Sequence, residues 1–188
     1  TLNVSSPNTP NLRDLQEKTL LADLLSAVQE KNRQLAAAAQ RQEKPVFVKI
    51  APDMDFAQVD QIIEVVNSFE VAGIVATNAS AFMRDSLKSP LGREPGGLSG
   101  RPITSMVTNF VSHIYKNTGG RLPIIGVGGI FNARDAYDKI TAGASAVQIY
   151  TGFVYEGPAV VKRINQGLIK LLERDGFRSV GEAVGQAN

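Results

Sequence analysis

Short apolar runs alternate with longer segments of helical period along most of this chain, and none of the runs alternates polar with apolar residues. PVFVKIAPD holds a nearly all-apolar run at 46–50, and VAGIVATN, LPIIGVGG and ASAVQIYTG follow in order. A strand that is apolar on both faces has to be covered on both, which is the condition of a parallel sheet packed against helices. The opening, TLNVSSPNTP, adds a fifth strand, a short apolar piece (Leu2, Val4) that empties into a polar loop stiffened by Pro7 and Pro10. Helices are predicted from residue 12 to about 42, from about 55 to 69, and over RPITSMVTNFVSHIYKNTGG, FNARDAYDKITAG and PAVVKRINQGLIKLLERDG. In the first of them leucines 15, 20, 21, 24 and 25 recur at helical spacing. Asn132 and Pro158 are start signals, Gly143 and Gly176 stop signals.

Two architectures satisfy five such units, an open doubly wound sheet and part of a (β/α)8 barrel. Polar or glycine-rich residues follow the C-terminal end of every strand: Asn3 to Thr9, Lys49, Thr77 and Asn78, Gly126 to Gly129, Tyr150 and Thr151. Barrels collect their site from many strands at that one end, whereas an open sheet concentrates ligand groups at one switch point. The expectation is therefore an α/β fold, a (β/α)8 TIM barrel of which residues 1–188 supply about five C-terminal units. Five strands cannot close such a barrel, so three are expected to precede Thr1 in a longer chain.

Composition narrows the chemistry. The chain has 188 residues, a net charge of +2, no cysteine and one histidine, His113. Thiolate nucleophiles, disulfides, cysteine-ligated metals and multi-histidine metal sites are excluded together. No run of Lys and Arg interleaved with aromatics marks a nucleic-acid partner, and no apolar stretch reaches about 18 residues. GVGGIF (126–131) fails the dinucleotide fingerprint, because Phe131 stands where the third glycine belongs, and it lacks the lysine of a P-loop. It does let backbone N–H groups approach a phosphate at a helix N-terminus, although tight βα turns alone would also account for its glycines. PGGLSG (95–100) ends a loop of about 20 residues beginning near Ala79, a length usually associated with function. Lys49 lies at the end of an apolar strand, where a cation needs a partner; it either points out at the rim or stabilises a bound anion. Thr77 and Asn78 either cap their turn or offer neutral hydrogen-bonding groups to a ligand. His113 reads as a helix-face contact, and Arg93 and Glu94 as solvated loop charges.

NVSSPNT, VKIAPD, VATN, GGLSGRP, IIGVGG and AGASAVQIYTG, in this order and at these separations, resemble the C-terminal part of a class 2 dihydroorotate dehydrogenase, over essentially the whole chain. The resemblance implies an FMN-holding barrel that oxidises dihydroorotate to orotate in pyrimidine synthesis and passes electrons to a membrane quinone, ubiquinone. This chain would supply strands four to eight, without the N-terminal strands and the membrane-associated helices. The location implied is the mitochondrial inner membrane in a eukaryote or the cytoplasmic membrane in a bacterium. An isolated piece is expected neither to close nor to turn over. Another FMN- or phosphate-binding barrel enzyme, or an inactive fragment, is the alternative.

The resemblance also assigns roles. Ser6 would be the base that takes the C5 proton while hydride leaves C6 for the flavin, with Thr9 as a first proton relay and Pro7 and Pro10 keeping Ser6 aimed. Asn3, Asn8 and Asn78 would hydrogen-bond the pyrimidine ring and carboxylate, with Ala79 beside them. FMN would be held by Asn3, Lys49 and Thr77 at the isoalloxazine, and by Ser99, Gly100, Val127, Gly128, Gly129, Tyr150 and Thr151 towards the ribityl phosphate. Two departures stand out. TNAS replaces the usual TNTT, leaving Ala79 only its backbone to offer, with Ser80 either compensating or not. Asn11 stands where glycine is common, asparagine being the residue best able to keep a left-handed backbone there.

Overall fold

The structure is a computed structural model that describes residues 1–82, 84–85 and 87–188. Among these residues five parallel strands form one sheet: β1 (Leu2–Asn3), β2 (Phe47–Ile50), β3 (Gly73–Ala76), β4 (Ile124–Val127) and β5 (Ala146–Gln148). Their order in space is their order in sequence, β1-β2-β3-β4-β5, every neighbour parallel. A doubly wound sheet reverses direction at a switch point, and this one never does. The winding is that of a partial (β/α)8 barrel.

The register sorts the side chains. Val48, Ile74 and Ile124 pair across β2, β3 and β4, as do Ile50, Ala76 and Gly126 one step on. This face is buried without exception and joins one apolar core with Ile62 and Val66 of α2 (Phe56–Ser68) and Val107 and Ile114 of α3 (Thr104–Asn117). The alternate row, Asn3, Lys49, Val75, Ile125 and Ala146, lines the inner side, where Lys49 and Ile125 are only half-buried. A second core packs α4 (Ala133–Thr141) on α6 (Val160–Arg174) through Ala136, Ile140, Ile164 and Leu168.

Local chemistry explains several helix ends. Asp55 and Gln58 form a reciprocal capping box at the start of α2, and the Asn132 side chain accepts from the Asp135 N–H at the start of α4. Gly143 and Gly176 follow α4 and α6 with φ of 125° and 80°, which glycine adopts freely. The first predicted helix is shorter than its period suggests: residues 12–16 form a 3-10 turn, and α1 runs Lys18–Ala38. Asn11 is left-handed (φ 60°) and Glu17 extended, so the backbone breaks on both sides of that turn. Two short helices, α5 (Thr151–Glu156) and α7 (Val180–Ala183), were not anticipated, and Pro158 lies two residues before α6 rather than in its first turn. In the long loop, a 3-10 turn at Pro90–Arg93 and an antiparallel bridge between Ser80 and Leu98 supply order the sequence does not advertise.

One charge is enclosed in this packing. Lys139 of α4 is 0% exposed, and its Nζ donates to the Thr104 carbonyl at 3.1 Å and the Thr108 hydroxyl at 2.9 Å. Burial pushes its pKa down to about 8, against the pull of Asp135 and Asp138. Relative to an ordinary lysine this costs on the order of 3 kcal/mol of stability while the folded lysine is charged. The cost is present in full below pH 8 and fades between about pH 8 and 10.5, where the unfolded chain keeps the proton and the folded one does not. Lys139→Met should therefore stabilise the protein by about 1–2 kcal/mol at pH 7, because the Thr108 hydroxyl still donates to the Thr104 carbonyl at 3.0 Å. Urea unfolding at both ends of that pH window measures it: the gain should vanish at the alkaline end, and a methionine variant weaker than wild type at pH 7 would refute the account.

Candidate active site

The ends of β1 and β3 are tied together by a small polar cluster. Ser5, 0% exposed, donates its hydroxyl to Asn3 Oδ1 at 2.9 Å, and Asn78 Nδ2 donates both to that oxygen at 3.1 Å and to Ser5 Oγ at 3.0 Å. Asn78 Oδ1 is taken by the Ala79 N–H at 2.8 Å. With Ser5 spent on this lock, the neighbouring Ser6 is the serine that faces the pocket; its Oγ accepts from the Asn8 N–H at 3.2 Å. The resemblance picks Ser6 over Ser5 as the base, and the two serines differ in the structure in the same sense: Ser5 is enclosed and Ser6 lines the pocket.

That pocket has a volume of about 510 Å³ and sits at the C-terminal ends of the strands. Ser6, Asn8, Lys49, Thr77, Asn78 and Ala79 line it, and so do Ser99, Val127, Gly128, Gly129, Tyr150 and Thr151. Three of the residues singled out do not. Asn3 is held in the polar cluster, Gly100 packs on Thr151, and Thr9 is exposed and makes no hydrogen bond to Ser6. A relay through Thr9 thus has no bond in this geometry to run along. His113 is remote from the pocket, pairing with Asp60 at 2.7 Å and stacking on Phe56, while Arg93 and Glu94 are exposed. Ser80 turns to Asp53, 2.5 Å away, so it does not stand in for a threonine at the neighbouring Ala79.

Several lining residues escaped the sequence reading. Gln148 and Ile149 occupy the end of β5, one step before Tyr150, and the rule that strand ends build the site would have included them. Ile103 looks like core and is core, 1% exposed, yet it forms part of the pocket wall. Gly152 has no local signal; a Cβ there would lie 2.2 Å from the Ile130 carbonyl, so only glycine lets α5 start this close to the β4 loop.

The residues fit an anionic, phosphate-bearing cofactor. Burial pushes the Lys49 pKa below its usual value, and among the described residues no carboxylate pairs with it, so a bound anion would restore what desolvation costs. Gly128 and Gly129 take φ of 130° and 73° just before α4, and the Ser99 and Thr151 hydroxyls meet at 2.8 Å beside them. Backbone amides in a left-handed turn and paired hydroxyls make a neutral cradle for phosphate oxygens.

Residues 1–172 match the family model described as Dihydroorotate dehydrogenase. The chain belongs to the dihydroorotate dehydrogenase family. It is 46% identical over 192 residues to a dihydroorotate dehydrogenase (quinone) of Nostoc punctiforme, covering 98% of this chain and 49% of that protein. It is 50% identical over 173 residues to the corresponding enzyme of Christiangramia forsetii, covering 92% and 48%. Among solved structures, DHODH from Eimeria tenella in complex with ferulenol superposes with a TM-score of 0.93 at 38% identity, over 98% of this chain and 52% of that one. The chain thus spans about half the length of the dihydroorotate dehydrogenases it matches. Both curated relatives named here are bacterial, which gives the mitochondrial location no support. No helix among the described residues is long and apolar enough to cross a membrane.

Proposed function

We propose that this chain supplies strands four to eight of an FMN-binding barrel that oxidises dihydroorotate to orotate in pyrimidine synthesis and delivers the electrons to a quinone. The observation that carries this is the convergence of Ser6, Asn78, Lys49 and the Gly128–Gly129 turn on one pocket, in a chain of this family. The half-buried inner row and the two edge strands, β1 and β5, are the surfaces that three further strands would cover. Membrane and ubiquinone contact would belong to the N-terminal region, at the cytoplasmic membrane as expected for a bacterial enzyme.

FMN, when bound, accepts the hydride that leaves C6 of the substrate. The chain's own part is to hold the ring, carry off the C5 proton and balance charge. Asn78, fixed by Asn3 and Ser5, offers a pre-oriented amide to the urea-like edge of the substrate, and Asn8 adds a second. Ser6 Oγ takes the C5 proton while its own proton passes to water, and the C5–C6 double bond forms as proton and hydride depart. Lys49 would supply positive charge to a flavin that gains negative charge on reduction, and Thr77, buried just past the end of β3, lines the same pocket.

The test is anaerobic addition of dihydroorotate to the full-length protein loaded with FMN. Bleaching of the visible flavin band without any electron acceptor is the expected result. A band that persists would reassign the pocket to a different flavin substrate, and failure to bind flavin at all would overturn the proposal.

A further inference from the structure

Beneath the loop that covers the pocket lies a carboxylate that no step above uses. Asp53, in the turn after β2, has a side chain only 3% exposed. It accepts the Ser80 hydroxyl at 2.5 Å, the Ala81 N–H at 2.6 Å and Arg13 Nη1 at 3.2 Å. One carboxylate therefore ties together the loops that follow β1, β2 and β3. The Arg13 end is held by the 3-10 turn 12–16, whose Gln16 donates to the Arg13 carbonyl and accepts from the Ala51 N–H. The Ala81 end leads into the long loop, which folds around a single guanidinium: Arg84 donates to the carbonyls of Ala81, Gly92, Glu94 and Gly96. Gly97, next in line, rests on the Ser6 loop, where a Cβ would come within 2.8 Å of Pro7 Cγ and 2.6 Å of Ala79 Cβ.

Both ends of this construction bear on Ser6. Arg13 holds the loop from its C-terminal side, and Gly97 presses on the residue next to the serine. We infer that Asp53 is a positioning residue, which locks the Ser6 loop and the covering loop to each other and so sets the distance from Ser6 Oγ to the substrate. A buried carboxylate with three donors is far more directional than apolar packing, and it anchors both loops at one point. This rests on the reading of Ser6 as the base.

The experiment uses the full-length FMN-loaded protein and the variants Asp53→Asn, Arg13→Ala and their combination. Misplacing a reacting group by about an ångström costs on the order of 100-fold. Each single variant should therefore slow dihydroorotate-driven flavin reduction by at least about fivefold, with flavin content kept and orotate affinity changed much less than the rate. Since both act through one network, the double variant should be no slower than the slower single one, and Arg13→Lys should recover part of the loss. Hydrogen exchange at the amides of residues 5–11, Pro7 and Pro10 having none, should rise in every variant that loses rate. A smaller rate loss, or orotate affinity falling by the same factor as the rate, would overturn the inference. If Asp53→Asn does not retain flavin, Arg13→Ala decides alone. If the wild type itself is not reduced by dihydroorotate, the functional reading has failed instead, and hydrogen exchange then decides the tether: unchanged exchange at 5–11 would refute it.

Discussion

Ser6→Ala in the full-length protein should slow dihydroorotate-driven flavin reduction at neutral pH by about 100- to 10,000-fold, the range ascribed to a positioned general base. Orotate should bind almost as before, because the ring-holding lock of Asn3, Ser5 and Asn78 does not involve the Ser6 side chain. The pH dependence carries the diagnosis. A serine hydroxyl ionises far above neutrality, so the alanine variant should regain rate as pH rises and solvent hydroxide takes over the proton. Ser6→Cys places a group of ordinary pKa about 8.5 at the same point, and its rate should climb with its thiolate through that pH. Stopped-flow absorbance from pH 6 to 10 reads all three proteins. An alanine variant that bleaches as fast as wild type would remove Ser6 from the mechanism, and a cysteine variant with no rise near its thiol pKa would remove the base from this position. Ser5→Ala is the informative contrast. It breaks the lock between two strand ends, so orotate affinity should fall more than the rate.

What could be read from the sequence was whatever has a local physical signature. The Asn132 cap and the glycines after α4 and α6 each act within a few residues, and each was visible; the Asp55/Gln58 box is equally local but was not singled out. Strand order followed too, because apolar runs without alternation require a covered parallel sheet, and polar residues at every strand end point to a barrel. Long-range pairing left no such mark. Asp53 meets Ser80 and Arg13 across separations of 27 and 40 residues, and nothing in VKIAPD distinguishes its aspartate from a solvated turn residue. Lys139 reads as the exposed charge of an amphipathic helix, yet its hydrogen-bond partners are both on α3. The left-handed backbone at Asn11 was legible, because asparagine stands there in the place of glycine, but the extended Glu17 that splits the first helix was hidden for a related reason. The leucine period runs straight through residues 12–25, and only the backbone reveals that Leu21 and Leu25 are fully buried while Leu20 is exposed.

The second large effect concerns the glycine turn. Gly129→Ala should abolish flavin binding, and it should do so more severely than Gly128→Ala. At Gly129 a Cβ would lie 2.0 Å from Thr104 Oγ1 and 2.6 Å from Thr104 Cα. The first obstacle can rotate, but the second is helix backbone at the start of α3 and cannot. The left-handed φ of 73° adds about 1–2 kcal/mol for any residue with a Cβ. The turn must therefore lift away from α3, which carries its amides out of the cradle formed with Ser99 and Thr151. At Gly128 the nearest obstacles, 3.0 Å away, are methyl groups of Ile103 and Val107, which can shift by tenths of an ångström. Gly96→Ala is the control for backbone strain alone: φ is 130° there, but a Cβ meets nothing within 4 Å. Flavin retained after gel filtration should thus fall in the order Gly96→Ala, Gly128→Ala, Gly129→Ala. A Gly129 variant that keeps its flavin as well as the Gly96 variant would mean that the phosphate is not held by this turn, and the cradle would have to be sought elsewhere at the strand ends.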